Sequence, residues 1–273
     1  MNPPIYTLTS GTVPLVVSIP HGGALLPEPY ASAMTPAARI VADTDWHLAR
    51  LYDFTHALGG SMLEANYSRY VIDLNRPASG ESLYPGQTTT SLCPTETFDG
   101  EPLYRAGQEP DAAEIAERRA TLFDPYHAAL QSQLDRLRIN GPVVLYDAHS
   151  IRSIVPRLFE GELPQFNIGD NDGATCAGGL TQAVEAACAV SGASLIVNGR
   201  FKGGWTTRHY GRPETGVHAI QMELADRGYI LDPSGPVSPD NWPSPYEPER
   251  AEPMRRHLHR VLTACIAFAE SQR

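Results

Sequence analysis

Short apolar runs alternate with segments of helical periodicity along the chain. The first run, 13–19, is rich in β-branched residues and stops at Pro20-His21, which predicts a buried strand that enters a loop. After residue 43 the apolar positions recur with helical spacing until Gly59, which predicts a helix. The same reasoning predicts strands at 70–74, 143–146, 194–197 and 219–224, and helices at 111–138, 175–190 and 254–268.

This order of elements predicts an α/β fold. Strands that alternate with helices indicate a three-layer α/β/α arrangement around a central mixed sheet, and the length fits one catalytic domain, residues 1–273. Ligands of such sheets bind beyond the carboxyl ends of the strands. His21, Asn75-Arg76 and Asp147–His149 each come just after a predicted strand, so we expect a functional site at that edge.

Composition narrows the functional classes. The formal net charge is −10, and a chain this acidic is not expected to bind nucleic acid through its phosphates. No apolar stretch is long enough to span a membrane, and the N-terminus lacks a signal-peptide pattern, so we expect a cytoplasmic protein. The four cysteines show no C-x-x-C spacing, which predicts reduced thiols. The sequence gives no indication of the oligomeric state.

Two histidines are candidate ligands of one catalytic metal ion per chain, expected to be zinc, with another divalent metal as the alternative. His21 and His149 follow separate predicted strands, and catalytic zinc sites use three protein ligands and one open position. A carboxylate is the expected third ligand, and both Asp43 and Asp45 stand where the next helix is predicted to begin. Asp147 is a candidate for orienting a histidine ligand.

Glu223 is the candidate acid–base residue. Hydrolysis of an amide requires a group that accepts a proton from water and returns it to the leaving amine. Glu223 lies in an otherwise apolar predicted strand, where a charged side chain needs either a partner or a chemical task. The sequence contains no G-x-S-x-G, P-loop or G-x-G-x-x-G pattern, which argues against serine-hydrolase and nucleotide-dependent mechanisms.

Several cationic residues are candidates for binding an anionic substrate. Arg76 with its neighbour Asn75 suits a carboxylate, and Arg69 is close enough in sequence to share this role. The glycine-rich stretch 202–211 carries Lys202, Arg208 and His209, which suggests a ligand with two negative groups. The Gly-, Pro- and Thr-rich segment 78–110 predicts a long loop, a feature that is more often functional than not.

Seven stretches spread over most of the chain form one specific pattern. They are SIPHGG at 18–23, DTDWHLARLYDF at 43–54, SRYVIDLNRP at 68–77, CPTETFDGEPLYRAG at 93–107, YDAHS at 146–150, FKGGWTTRHYG at 201–211 and VHAIQMELADRGY at 217–229. Their joint occurrence in this order is specific, whereas PHGG or DAH alone would be weak. The pattern resembles the N-formylglutamate amidohydrolase (N-formylglutamate deformylase) family.

The resemblance implies a reaction and a fold. It implies zinc-dependent hydrolysis of N-formyl-L-glutamate, a small dianionic substrate, to formate and L-glutamate, a late step of histidine breakdown. It also implies a fold related to zinc exopeptidases and N-acetylmuramoyl amidases. The open alternatives are an amidohydrolase of another N-acyl-glutamate or N-acyl-aspartate, and a non-catalytic metal- or amino-acid-binding protein. Glu223 argues against the latter, because binding alone requires no proton carrier.

The resemblance also implies an order of ligands along the chain. In the related enzymes the order is His, acid, His and then a catalytic Glu, which carries onto His21, Asp43 or Asp45, His149 and Glu223. The amidase pattern favours Asp43. Carboxypeptidase-like relatives instead use a Glu three residues after the first His, where this chain has Ala24, and they bind the substrate carboxylate with an Asn-Arg pair that Asn75-Arg76 resembles.

Overall fold

One mixed sheet organises the chain. The structure, a computed structural model, describes residues 3–81 and 90–273. Its strands are β1 (Tyr6–Thr9), β2 (Leu15–Ile19), β3 (Ser61–Ala65), β4 (Val143–Ile151), β5 (Phe166–Gly169), β6 (Leu195–Val197) and β7 (Val217–Ala225). They lie in the order β1-β3-β2-β4-β7-β5-β6. The β1–β3 and β5–β7 pairs are antiparallel and the other pairs are parallel.

Helices cover both faces of this sheet. They are α1 (Tyr30–Ala33), α2 (Leu48–Leu51), α3 (Ala112–Arg118), α4 (Asp124–Arg138), α5 (Gly178–Ala189), α6 (Trp205–Tyr210) and α7 (Pro248–Ser271). A π-helical turn, Arg119–Phe123, joins α3 to α4. No helix in the described ranges is both long enough and apolar enough to cross a membrane.

The alternation of side chains along the strands produces three layers. On β2, Leu15 and Val17 belong to the core cluster that contains residues of α2, α5 and α7. Val16 points to the opposite face and belongs to the cluster that contains residues of α4. The α/β/α arrangement predicted from the sequence is therefore confirmed.

The prediction of a strand at 70–74 is wrong. These residues form turns and irregular structure, and β3 takes the place between β1 and β2. Val71 and Leu74 are buried in the core but do not belong to any strand of the sheet, so their apolar character reports burial rather than sheet pairing. The predicted helix after residue 43 is also shorter than expected, because only α2 and a 3-10 turn, Asp53–Thr55, form there.

Strand β4 continues further than its apolar pattern predicts. The predicted strand stops at residue 146, but β4 runs to Ile151 between β2 and β7, and all of its residues are buried. Asp147 and His149 therefore lie on a central strand instead of following one. Glu223 likewise lies on β7, whose neighbours β4 and β5 protect it on both sides.

Candidate metal and acid–base site

Strand register brings the main candidate residues together. His149 on β4 lies directly beside Glu223 on β7, and Asp147 lies beside Gln221. Residues two apart on a strand project from the same face, so all four side chains point to one side of the sheet. His21 follows β2, which pairs with β4 on its other edge. The candidate site therefore spans the three central strands.

Three side chains converge in the manner expected of metal ligands. One potential ligand atom from each of His21, Asp45 and His149 lies within 4.8 Å of the others. Asp45 Oδ2 is 3.0 Å from His149 Nδ1 and 3.8 Å from His21 Nδ1. The Asp45 backbone N–H donates to the His21 carbonyl oxygen, which joins the two ligand-bearing loops. Two imidazoles and one carboxylate form the donor set of many catalytic zinc sites.

The far nitrogens of both imidazoles contact further polar groups. His21 Nε2 lies 2.7 Å from Asp73 Oδ1. His149 Nε2 lies 3.3 Å from Asp147 Oδ1 and 2.9 Å from Asn75 Nδ2. A carboxylate behind an imidazole fixes the ring and increases the basicity of the nitrogen that faces the metal. The residues present therefore fit a divalent cation held by the two Nδ1 atoms and Asp45.

Asp43 lies outside this group. Its Oδ2 accepts hydrogen bonds from the Tyr70 hydroxyl and the Phe98 backbone N–H, both at 2.8 Å, and its Oδ1 lies 3.6 Å from Arg152. These contacts attach the 93–107 segment to the loop that carries Asp45. The geometry thus favours Asp45 over Asp43 as the third ligand, contrary to the preference drawn from the amidase pattern.

Electrostatic surroundings give the two histidines different properties. Burial and the Arg69 charge lower the pKa of His21 to about 4, so this imidazole is neutral at physiological pH. Burial also disfavours the charged form of His149, but Asp147 and Asp45 outweigh it and raise the pKa of His149 well above the ordinary value.

Glu223 is held in place by its neighbour Gln221. Gln221 Nε2 donates to Glu223 Oε2 at 3.1 Å, and Gln221 Oε1 accepts from the Gly204 backbone N–H at 2.6 Å. Burial raises the pKa of Glu223 to about 8, and the charges of Asp45 and Asp147 add to this effect. A cation bound beside Glu223 would lower that pKa, because positive charge stabilises the carboxylate.

A pocket opens above these residues. Its volume is about 80 Å³, and it is bordered by His21, His149 and Glu223 together with apolar side chains. Three arginines also border it, namely Arg69, Arg76 and Arg200. The first two were expected from the sequence, whereas Arg200 was not identified there. A small pocket with several guanidinium groups suits an anionic ligand.

The residues of the predicted carboxylate pair have partners within the protein. Asn75 Nδ2 contacts His149, and Asn75 Oδ1 accepts from the Thr206 backbone N–H at 2.8 Å. Arg76 donates from Nε to the Thr90 carbonyl oxygen at 2.9 Å and from Nη1 to the Asn75 carbonyl oxygen at 2.8 Å. Arg76 and Asn75 nevertheless both border the pocket.

Arg69 lies beside the candidate metal ligand Asp45. Its Nη2 forms a 2.8 Å ion pair with Asp73, its Nη1 is 3.9 Å from Asp45, and its guanidinium lies 4.8 Å from the centre of the Phe98 ring. Its side chain is almost fully buried. A buried, fixed positive charge at this position can stabilise negative charge that develops on a bound carbonyl oxygen.

The stretch 202–211 is more ordered than a glycine-flexed loop. Lys202 pairs with Asp172 at 3.0 Å in an exposed position, and Arg208 Nε donates to the Gly203 carbonyl oxygen at 2.8 Å. His209 stacks on Trp205 in α6, with ring centres 4.3 Å apart. Lys202, Arg208 and His209 are not among the described residues that border the pocket. Gly204 is required there, since a Cβ atom would lie 2.3 Å from Asn75 Nδ2.

Part of the predicted 78–110 loop also borders the site. Thr90 and Phe98 line the pocket, and Phe98 is held by Asp43. Residues 82–89 of this loop lie outside the described residues. Asp73, the partner of His21 and Arg69, was not identified from the sequence, because it falls inside an apolar segment that predicted a strand.

Comparisons with known sequences find relatives that match nearly the whole chain. The sequence profile of the family described as N-formylglutamate amidohydrolase matches residues 13–230. N-formylglutamate deformylase of Pseudomonas aeruginosa is 44% identical over 270 residues, 98% of each chain. The protein of the same name from Pseudomonas putida is 42% identical over 266 residues, 97% of this chain and 96% of that one.

Solved structures show the same fold. The crystal structure of N-formylglutamate amidohydrolase from Ralstonia eutropha superposes with a TM-score of 0.78 at 26% identity, and the match covers 98% of both chains. A gene product of Agrobacterium tumefaciens superposes with a TM-score of 0.70 at 18% identity, covering 97% of this chain and 96% of that one. The second likeness concerns the fold alone.

Proposed function

We propose that this chain, which belongs to the N-formylglutamate amidohydrolase family, hydrolyses N-formyl-L-glutamate to formate and L-glutamate. The observation that carries the proposal is a candidate metal-ligand group, His21, Asp45 and His149, beside a buried glutamate in an arginine-lined pocket. The relatives that match nearly the full length are named for this reaction. Family membership supports the choice of substrate, and the arrangement of the side chains supports metal-assisted hydrolysis.

The ion we propose is zinc, held by His21, Asp45 and His149. Two neutral imidazoles and one carboxylate suit this ion and leave a position for substrate or water. When bound, it would supply Lewis-acid chemistry that activates water and polarises the formyl carbonyl group. Asp73 contacts Nε2 of His21, and Asn75 and Asp147 both lie against Nε2 of His149, so each imidazole ring has polar partners behind it.

Glu223 carries the proton. Its ionised carboxylate accepts a proton from the attacking water, whose oxygen forms a bond to the formyl carbon. Glu223 then donates that proton to the amide nitrogen, the C–N bond breaks, and formate and the amino group of glutamate are released. Gln221 holds Oε2 of Glu223, so the carboxylate keeps one orientation through both transfers. Arg69 stabilises the negative charge on the former carbonyl oxygen.

A substrate with two carboxylates accounts for the three arginines that border the pocket. Arg76 lies on the same side of the site as Asp73 and Arg69, at the pocket wall, and we assign the α-carboxylate of the substrate to it. Attraction by a guanidinium compensates for the overall negative charge of the chain. By family resemblance, the reaction is a late step of histidine breakdown, and this pathway stays a prediction. The cytoplasmic location expected from the sequence also stays a prediction.

Formate release tests the assignment. Metal-quantified enzyme should release equal amounts of formate and glutamate from N-formyl-L-glutamate, and Glu223→Gln should lower kcat at least about a hundredfold because the proton carrier is lost. Glutamine at this position keeps the shape and the hydrogen bond to Gln221, so metal content should not change. A panel of formyl, acetyl and succinyl derivatives of Glu and Asp tests the acyl group. Preference for another acyl group would refute the substrate, and unchanged turnover by Glu223→Gln would refute the mechanism.

A further inference from the structure

We infer that Arg200 binds the side-chain carboxylate of the substrate and sets the preference for a dicarboxylic amino acid. This inference rests on the proposed function and deepens it. The charge pattern of 202–211 predicts Lys202, Arg208 and His209 for this second negative group. In the structure it is Arg200 that borders the pocket, together with His149 and Glu223.

The segment that carries Arg200 closes the pocket on the side away from His21. It leaves β6 after Val197 and crosses the end of β5, where a Cβ atom on Gly169 would lie 2.5 Å from the Gly203 nitrogen. It then reaches β7, where Gly204 donates to Gln221. His21 follows β2 at the other side of β4 and β7. Arg200 and His21 therefore follow strands on opposite sides of β4 and β7, and both border the pocket.

Arg200 is anchored in a way that directs its guanidinium. Its Nε donates to the Leu158 carbonyl oxygen at 2.8 Å, and its guanidinium carbon lies 5.3 Å from the centre of the Phe201 ring. Leu158 and Phe201 also border the pocket, so the charge lies beside an apolar wall. A half-buried guanidinium on such a wall pairs strongly with a carboxylate because little water competes.

The pocket thus contains three regions that match three parts of the substrate. The candidate ligands and Arg69 receive the acyl carbonyl group, and Arg76 receives the α-carboxylate. Arg200, on the far side of β7, receives a second carboxylate carried on a short methylene chain that packs against Leu158 and Phe201. A pocket with this layout favours an acidic side chain over a neutral one of the same shape.

The alternative cations are placed less well for this role. Lys202 is paired with exposed Asp172, and Arg208 bonds to the backbone of its own segment. His209 stacks on Trp205, and burial together with the Arg212 charge lowers its pKa, so it carries little positive charge at neutral pH. None of these side chains borders the pocket within the described part of the chain.

Two substrates that differ only in charge test this inference. N-formyl-L-glutamine has the shape of N-formyl-L-glutamate without the side-chain charge. For the wild-type enzyme, we expect kcat/KM to be about tenfold to a hundredfold higher with N-formyl-L-glutamate, the effect of one charge-assisted pair. Arg200→Gln should lose this preference through a higher KM for the acid, with turnover of the amide changed less than about threefold. Arg200→Lys should keep part of the preference, because it keeps a charge.

Matched variants separate this role from others. Arg256→Gln removes an exposed arginine from α7 and should leave both substrates unaffected. Arg200 variants that lose both substrates equally, or keep the full preference, would overturn the inference; so would loss of the preference on Lys202→Gln or Arg208→Gln but not on Arg200→Gln. Each of these outcomes leaves the proposed function intact. A wild-type enzyme that releases formate from neither substrate would instead overturn the proposed function, and the Arg200 assignment with it.

Discussion

The same substitution at two aspartates, Asp43 and Asp45, is expected to affect different properties of the protein: thermal stability at Asp43 and metal binding at Asp45. Asp45→Asn removes the carboxylate that faces both His21 and His149 Nδ1 atoms. Asp43→Asn changes a carboxylate that instead bonds to Tyr70 and Phe98. Both side chains are almost completely buried, so neither change is a surface change. The pair is a matched test of which aspartate binds the metal.

The magnitudes follow from the contacts of each residue. Loss of a partner behind a ligand lowers metal affinity about 10- to 100-fold, so loss of the ligand Asp45 should lower it by more than about 100-fold. In Asp43→Asn, two charge-assisted hydrogen bonds become neutral ones, which costs about 2 kcal/mol of unfolding free energy in total. For a chain of this size that corresponds to a fall in Tm of about 3–4 °C, with the metal still bound.

Metal binding and thermal unfolding are measured on the same preparations. Competition with a chromophoric chelator gives the zinc Kd, and calorimetry gives the Tm. The wild-type enzyme and Asp43→Asn should bind one zinc ion with similar Kd, whereas Asp45→Asn should not retain zinc against the chelator. If Asp43→Asn lost the metal while Asp45→Asn kept it, the ligand assignment from the geometry would be refuted.

Three further predictions concern residues around the site. Asp73→Asn should weaken zinc binding about 10- to 100-fold by chelator competition, since His21 loses its carboxylate partner; unchanged affinity would contradict this role. Gln221→Leu should lower kcat and leave KM and metal content nearly unchanged, because Glu223 loses its hydrogen bond. A change in KM alone would instead assign Gln221 to substrate binding. Burial lowers the pKa of His127 to about 3, so as the pH falls this histidine is protonated in the unfolded state before it is protonated in the folded state. The free energy of unfolding therefore falls as pH falls below about 6.5. Between pH 6 and 4.5, the free energy of unfolding measured with urea should fall less steeply for His127→Gln than for the wild-type protein. The two slopes should differ by about 1.4 kcal/mol per pH unit, and equal slopes would contradict this.

Strand signals and strand-end chemistry were predictable from the sequence. The apolar run at 13–19 predicts β2 and the position of His21, and the segment 219–224 predicts β7 with Glu223. Polar residues inside a buried strand hide the true end of that strand. This is why β4 was predicted to stop before Asp147, although it continues to Ile151.

Contacts between distant segments were not predictable in the same way. Residues 70–74 carry the apolar pattern of a strand but are buried without sheet partners, and Asp73 within them binds both His21 and Arg69. Periodicity reports burial and not the partner that causes it. The choice between Asp43 and Asp45 depends on which carboxylate turns toward the imidazoles, and this orientation comes from the tertiary fold.

Charge patterns located the cations but not their directions. The stretch 202–211 concentrates positive charge, yet Lys202 pairs with Asp172 and His209 stacks on Trp205. Arg200, two residues earlier, has no motif around it and is placed at the pocket by the crossing of its segment over β5. Loop conformation therefore decides which of several nearby cations faces the ligand.

The most direct test of the central claim is formate release from N-formyl-L-glutamate as zinc is returned to metal-free enzyme. Turnover should rise linearly with added zinc and reach its maximum at one ion per chain, because His21, Asp45 and His149 form one ligand group. Glu223→Gln should take up the same single ion without recovering turnover. Full formate release by verified metal-free enzyme would contradict the account.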